Sequence, residues 1–500
     1  EKFQPYLTGE TDGTPKSADW AAPITGIDAE TIRTLARKMA AKRTMIGTSY
    51  SLQRGDHGEQ TFWMTATLAA MLGQIGLPGG GFGFGYGSMQ GQGNPVEPIA
   101  VPAMLSGANP TGSFIPVARI TDLLLNPGGE YDFNGKRRRY PDTKLIYWCG
   151  GNPFHHHQDI NRLIEGWRKP DTIIVHEPWW TATARHADIV LPATTTLERN
   201  DIGASGRDRF IMAMAKAVEP VGGARNDFDI FSDLADRLGF RSAFTEDRDE
   251  MAWLRHLYEV SRQQAAQSRV EMPDFETFWE QGRVEIAEPA KPHVIYDDFR
   301  ADPAANPLPT PSGLIEIFSE TIDGFGYDDC PGHPVWLEPV EWLGAQEAKR
   351  HPLHLMSNQP STRLHAQMDC GSVSVASKIN GREPVALNPD DAAARGIGPG
   401  DVVRIFNDRG ETLAGAIIDD GVMPGVIRLS TGAWYDPAEP GRIGALDKHG
   451  NPNMLTLDRG TSKLGQGPIA HSTLVEMERF TGPVPAITAF TGPNALETDT

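Results

Sequence analysis

LIYWCGGNPFHHHQDINRLIEGWRKPDTIIVHEPWWTATARHADIVLPATTTLERND, residues Leu145 to Asp201, holds three short apolar runs, each ending in a polar turn able to meet a ligand. Leu145 to Trp148 is too short and too apolar for a surface helix and stops at the turn Gly150-Gly151-Asn152-Pro153. From Gln158 onward, Ile160, Leu163, Ile164 and Trp167 fall at i, i+3, i+4 and i+7, which predicts a helix with one buried face. Strands are expected at Thr172 to His176 and at Asp188 to Leu191. Strand, helix, strand in this order is a parallel βαβ unit. Ligands of such sheets sit at the carboxyl ends of the strands, so Gly150 to Gln158, His176-Glu177 and Ala193 to Arg199 should face one crevice.

Composition limits what that crevice can serve. The chain has 500 residues, 39% of them hydrophobic, which suits a large globular protein of about three domains at roughly 150 residues each. Sixty-five acidic against 46 basic residues give a formal charge of −19, and no basic stripe offsets it, which argues against a nucleic-acid groove. Cys149, Cys330 and Cys370 are far apart with no Cys-x-x-Cys, so neither a disulfide framework nor an iron–sulfur or zinc site is supported. No apolar run approaches the roughly 18 residues of a membrane span. Glu1-Lys2-Phe3 shows neither an initiator Met nor a signal peptide. An N-terminal portion is expected to be missing, which leaves cytoplasm and periplasm equally open.

Toward the N-terminus, Asp28 should cap a helix with Ile32, Leu35, Ala36 and Met39 on its buried face. A strand at Thr44 to Ser49 should end in Tyr50-Ser51-Leu52-Gln53-Arg54, a second junction of the ligand-binding type. His57 to Ile75 reads as a long buried helix carrying Trp63, Leu68, Met71 and Leu72. Nine glycines lie between Gly76 and Gly93, but no G-x-G-x-x-G can be placed there and no strand precedes them. The stretch reads as a flexible loop over other backbone, or as a mobile lid over a pocket. Asp122 to Tyr140 reads as a polar, basic, solvated surface loop. Farther on, Asp227 precedes Phe231, Leu234, Ala235 and Leu238, with Gly239 as the expected C-cap. Trp253, Leu254 and Leu257 lie on a charged helical region at about Glu246 to Gln267. Dense prolines between Pro289 and Pro311 mark a connection near a domain boundary.

From His351 the period becomes alternating. PLHLMSN reads as a strand, Asn388-Pro389 as the cap of a short helix through Arg395, and Asp401 to Phe406 with Thr412 to Ile418 as a hairpin around Asn407-Asp408-Arg409-Gly410. With Gly425 to Leu429 these suggest a closed β-barrel of about 150 residues. Its loops are rich in polar groups, among them Asn358, Gln359, Arg363, His365, Gln367, Asn453, Lys463 and Gln466.

GGNPFHHHQDINRL, RHADIVLPATTTLERND, SNQPSTRLHAQ, GREPVALNPDDAAARGI, GDVVRIFNDRG, STGAWYDP and GTSKLGQG, in this order, resemble the dimethyl sulfoxide reductase family of Mo-bis(molybdopterin guanine dinucleotide) enzymes. The resemblance runs over essentially the whole chain. SNQP with GREPV, GAWYDP and NPNMLTLD most resembles the biotin sulfoxide and methionine sulfoxide reductases, with trimethylamine N-oxide reductases near. It implies an α/β fold of two Rossmann-like parallel-sheet domains, both incomplete, at 1–105 and 106–340. A double-psi-type six-stranded β-barrel at 350–500 would follow. It also implies reduction of an S-oxide or N-oxide with electrons from a separate donor, and no iron–sulfur cluster in this chain. The cofactor is long and anionic: backbone N–H groups at Gly-rich strand ends suit its pyrophosphates, and carboxylates suit guanine N1–H and its amino group.

By the same resemblance, Tyr50, Ser51 and Arg54 would serve one dinucleotide arm. Asn152, His156, His176, Glu177, Arg199 and Asp227 would line the other crevice; family members often place Asp where this chain has Glu177. Gln359, Pro360, His365, Ala366, Gln367, Asn453, Ala470 and His471 would close over the pterins from the barrel. No catalytic residue and no metal ligand is assigned: the serine that binds molybdenum in this subgroup would lie upstream, and the piece by itself is expected to be inactive.

Plainer readings compete. His155, His156 and His157 are adjacent and cannot all aim at one ion. Arg54 and Arg363 could pair with surface carboxylates, Asp227 could cap the helix after it, and Trp179-Trp180 could be packing. Cys149 reads as a buried core thiol. A dinucleotide-dependent dehydrogenase and a non-catalytic assembly subunit of the same fold stand as alternatives.

Overall fold

The computed structural model describes residues 2–85, 97, 99–206, 208–289 and 293–493. Strand β1 (Met45–Thr48) pairs in parallel with β2 (Gly81–Phe84). A hairpin follows, β3 (Glu130–Phe133) with β4 (Lys136–Arg139). The three expected strands form a parallel sheet, β5 (Leu145–Cys149), β6 (Thr172–Glu177) and β7 (Ile189–Pro192), with β6 in the middle. Next comes a small antiparallel sheet of β8 (Asp201–Ala204), β9 (Phe210–Met214) and β10 (Arg283–Glu285).

The last third closes into a barrel. Its strands are β11 (Leu353–Met356), β12 (Pro384–Leu387), β13 (Val402–Phe406), β14 (Glu411–Ile418), β15 (Val426–Leu429) and β16 (Leu474–Arg479). They join in the order β11-β15-β12-β14-β13-β16, with β11 parallel to β15, β12 parallel to β14 and the other pairs antiparallel. Closure removes every free edge, so the strands can be short and still pair fully. Asn388 caps the helix Pro389–Ala394 through the Asp390 N–H, as the sequence predicts.

One apolar core joins barrel and β5–β7 layer. The helix Ile160–Trp167 presents Ile160, Leu163, Ile164 and Trp167 to the same cluster that contains Leu355, Leu387, Ile405 and Met477. Burial of these side chains drives the docking, at about 1.5–3 kcal/mol for each large residue fully buried. Polar ties fix the register. Asn451 Nδ2 donates to the Phe154 carbonyl (2.8 Å) and Asn453 Nδ2 to that of His155 (3.2 Å). Asn161 Nδ2 donates to the Arg409 carbonyl (2.9 Å), and Asp458 receives both Arg119 (2.9 Å) and Arg162 (2.5 Å).

Several expectations change. Asp28 does cap the helix Ala29–Ala41, but no residue of that helix is fully buried: the helix Ala18–Thr25 packs on it, Ile32 and Met39 are half-buried, and Leu35 is exposed. The helix from His57 is shorter, Glu59–Met71, and Leu68 and Met71 are exposed on it. The stretch 122–140 is not a solvated loop. It contains the β3–β4 hairpin, whose Tyr131 is buried and stacks on buried Tyr140 at 4.5 Å, while Glu130, Asp132, Arg137 and Arg139 pair across the strands. Part of the glycine-rich run is strand β2, and the lid reading of its remainder falls on 86–96, outside the described residues. Cys149 is exposed at the tip of β5, not a core thiol; Cys330 is the buried one. No helix among the described residues is long and apolar enough to cross a membrane.

Candidate functional site

The tips of β5 and β6 meet the start of the helix Asp227–Arg237. Gly150 and Gly151, both at positive φ, turn the chain out of β5, and a side chain at Gly150 would project into open space. Asn152 then receives the Thr183 hydroxyl and donates to Glu177 Oε2 at 3.4 Å. His176 Nδ1 lies 2.7 Å from Asp227 Oδ1, so it carries the proton, and Nε2 is left to accept from the Tyr147 hydroxyl at 2.9 Å. Burial pushes the Glu177 carboxyl up to about 7, against hydrogen bonds from Thr181 and the Trp179 backbone. Two carboxylates thus stand at one end of the crevice, and Asp227 is half-exposed with an oxygen left over. The cap of its helix is Asn226, which accepts from the Thr194 hydroxyl, so Asp227 is the first helical residue and not the cap.

Arg199 belongs to this crevice only indirectly. Its guanidinium is taken up by Asp201 (3.1 and 3.2 Å) and the Thr194 carbonyl (3.1 Å), so it orders the turn after β7.

A second group of polar side chains, at the turn after β1, is cationic. The turn Tyr50–Arg54 follows β1, and the Arg54 carbonyl accepts from the His471 N–H at 2.9 Å. Burial depresses the Arg54 guanidinium, and no carboxylate compensates it among the described residues. Around it stand three imidazoles. Burial lowers His156 and His471 to about 4 each and His365 below its ordinary value, and the Arg54 charge contributes to all three. His156 is exposed at the turn after β5, although desolvation by its neighbours still lowers it. His471 Nδ1 is buried without a partner. One guanidinium without an ion partner, ringed by imidazoles kept neutral, suits an anionic group.

Above this cluster runs a strap, 357–371, between β11 and the helix Ser372–Ser377. Gln359 grips His365 twice, Nε2 to its Nδ1 (2.9 Å) and Oε1 from its N–H (3.3 Å). Pro360 is half-buried beside it, Gln367 is exposed, and the Ala366 carbonyl accepts from Trp434 Nε1 at 2.9 Å. Ala470 is buried next to His471. Asn453, in contrast, is buried with both amide atoms used by His155 and Thr456, so it ties the barrel loop to the β5 turn and lines no cleft. The three adjacent histidines part company: His155 and His157 are buried, and only His156 reaches the cleft.

Sequence reading passed over Tyr147 and Thr183, which steer His176 and Asn152 but sit in apolar or small-residue surroundings that carry no signal. It counted Arg363 among the polar groups of the barrel loops, with pairing to a surface carboxylate as the plainer reading. Arg363 is in fact buried, with Asp369 at 3.3 Å and Glu383 at 3.0 Å, and Lys378 bridges the same two carboxylates.

Comparison with known sequences finds relatives along nearly the whole chain. The family described as molybdopterin oxidoreductase matches residues 20–237, and that described as molydopterin dinucleotide binding domain matches 353–474. A dimethyl sulfoxide/trimethylamine N-oxide reductase of Cereibacter sphaeroides is 52% identical over 98% of this chain and 61% of its own length. A biotin sulfoxide reductase of the same organism is 53% identical over 96% of this chain and 64% of its own. A trimethylamine-N-oxide reductase of Salmonella typhi is 49% identical over 99% and 60%. The chain spans about three fifths of the length of these relatives. Among solved structures, the acetylene hydratase of Pelobacter acetylenicus matches with a TM-score of 0.52 at 20% identity, over 68% of this chain and 45% of that one, a likeness of fold.

Proposed function

We propose, from the premise that this chain belongs to the molybdopterin oxidoreductase family, that it binds Mo-bis(molybdopterin guanine dinucleotide) and forms the larger part of a reductase acting on an S-oxide or N-oxide. The observation that carries the reading is the unpaired Arg54 guanidinium among His156, His365 and His471. A doubly phosphorylated pterin supplies the negative charge this cluster lacks, and guanine supplies the N–H donors that Glu177 and Asp227 can accept.

In this reading Tyr50, Ser51, Arg54, His156 and His471 hold the anionic part. Gln359, Pro360, His365, Ala366, Gln367 and Ala470 cover it from the barrel side. Asn152, Glu177 and Asp227 take the guanine edge, with His176 orienting Asp227 through its 2.7 Å hydrogen bond. Arg199 and Asn453 act one step back, by shaping the β7 turn and by fastening the barrel loop to the β5 turn. The bound molybdenum centre supplies the two-electron oxygen-transfer chemistry, and the protein supplies binding and orientation. The division into 1–105, 106–340 and 350–500 fits this reading, since one group of ligand-facing turns comes from each.

The full-length protein, purified and acid-treated, should release guanine nucleotide and molybdenum, and should reduce dimethyl sulfoxide, biotin sulfoxide or trimethylamine N-oxide with an artificial electron donor. Arg54→Met should lose most of the bound guanine. Undiminished guanine in that variant would remove the cluster from the site.

A further inference from the structure

The strap that carries His365 is held by a device the reading above does not use. Arg363, whose side chain is 1% exposed, spreads its fork in four directions. Nε donates to the His365 carbonyl (3.1 Å), Nη1 to Ser374 Oγ (3.1 Å), and Nη2 to Glu383 Oε2 (3.0 Å) and the Thr431 carbonyl (3.2 Å). Lys378 sits between Asp369 (2.7 Å) and Glu383 (2.5 Å), so two cations and two carboxylates balance out of contact with water. Such a cluster is a poor way to gain stability, because desolvation takes back most of the Coulomb energy. It is a good way to fix geometry, since a guanidinium offers a rigid planar fork that a lysine does not.

The strap needs that fixing. His365 and Met368 both sit at positive φ (51° and 56°), a conformation that costs a non-glycine residue about 1–2 kcal/mol. Gly432 approaches so closely that a methyl group there would lie 2.0 Å from the His365 carbonyl oxygen.

The two bonds from Gln359 then decide the chemistry of the His365 ring. Gln359 Oε1 accepts from the His365 backbone N–H, which fixes the amide's orientation. Its Nε2 can only donate, so His365 Nδ1 accepts and the ring proton lies on Nε2. We propose that Arg363 and Gln359 are positioning residues that lock His365 as the neutral Nε2–H tautomer, a preset hydrogen-bond donor beside Arg54 for the anionic part of the cofactor. The inference rests on the cofactor reading for its purpose and on the strap geometry alone for its substance.

The full-length protein carries the test. Histidine-selective 15N spectra, with the His365 signal assigned by His365→Gln, should show the Nε2–H tautomer with a hydrogen-bonded Nδ1 that moves to its unbonded position in Gln359→Leu. Arg363→Lys preserves the charge balance and should keep the thermal midpoint near that of the wild type, yet bound guanine should dissociate about ten-fold faster in both variants, the scale of one charge-assisted hydrogen bond. If Arg363→Lys does not fold, the wild-type and Gln359→Leu spectra decide by themselves. A wild type that releases guanine but shows His365 protonated on Nδ1, or variants that hold guanine as long as the wild type, would overturn the inference and leave the cofactor reading standing. A wild type with no releasable guanine would instead break the cofactor reading, and the role assigned to the tautomer with it.

Discussion

In the barrel, Leu355, Leu387, Val403, Ile405 and Leu413 are wholly buried, whereas in the layer built on β1 and β2 the helix Ala29–Ala41 has no fully buried residue and Leu35 is 56% exposed. The cleft takes His365 and His471 from the first region and Arg54 from the second. Between them run polar contacts: the His471 N–H on the Arg54 carbonyl, the Asp56 N–H on Ser472 Oγ (2.8 Å), and Thr461 and Ser462 on Glu59. A tightly packed wall facing a loosely packed one means that the barrel presets its half of the site. The Arg54 half depends more on its contacts with the barrel and with whatever fills the cleft.

The contrast can be broken most directly in the core. Leu387→Ala should cost about 3–4 kcal/mol in urea unfolding, while Leu35→Ala should change it by about 0.5 kcal/mol or less. Equal effects would mean that the two regions are packed alike. Gly432→Ala should cost roughly 2–3 kcal/mol, because it combines a φ of 94° with a collision against the strap. A wild-type midpoint would show that the strap can retreat.

Acid should find the barrel side first. His155, His157 and His449 are buried and depressed by burial to about 3, 3 and 4. Below the unfolded value of about 6.5 the unfolded chain binds protons that the folded chain refuses. Stability should therefore be full above that pH and fall toward pH 4, on the order of 1 kcal/mol per pH unit for each ring. Asp447 works the other way. Burial raises it to about 6, so it takes up a proton in the folded chain first and offsets part of the loss. Urea titrations at stepped pH would check the sign, and stability rising between pH 6 and 4 would refute it. Arg54→Met should affect folding as little as Leu35→Ala, about 0.5 kcal/mol or less without ligand, because the guanidinium has no ion partner to lose. The same variant should forfeit guanine, and a large loss of stability instead would make Arg54 a structural residue.

The same contrast explains what could be read in advance. Leu145 to Leu191 was legible because short apolar runs ending in turns flank a segment of period 3.6, and the barrel because its strands alternate between turns of Asn, Asp and Gly. Glycine hid β2: Gly81, Gly83 and their aromatic neighbours form a strand whose neighbour in the sheet, β1, lies more than thirty residues earlier. The run Lys136 to Arg139 looked like solvated charge, yet Tyr131 and Tyr140 anchor it and acidic partners across the hairpin absorb the arginines. The burial of the Arg363 side chain could not be read, because Asp369, Lys378 and Glu383 become its neighbours only once the strap folds back. The turn residues of the cleft were visible as types, but the lack of a carboxylate beside Arg54 was not, since it depends on which distant segments meet there.

The last described stretch of the chain doubles back. Arg185 donates to the carbonyls of Thr488, Ala489 and Thr491, Thr488 is bonded twice to Asp436, and Phe490 rests edge-on against Trp434 and His449. The polypeptide thus leaves the barrel only to be stitched to the β5–β7 layer, like the thread that finishes a seam. Swinging the barrel outward as a door would mean unpicking that seam along with the shared apolar core.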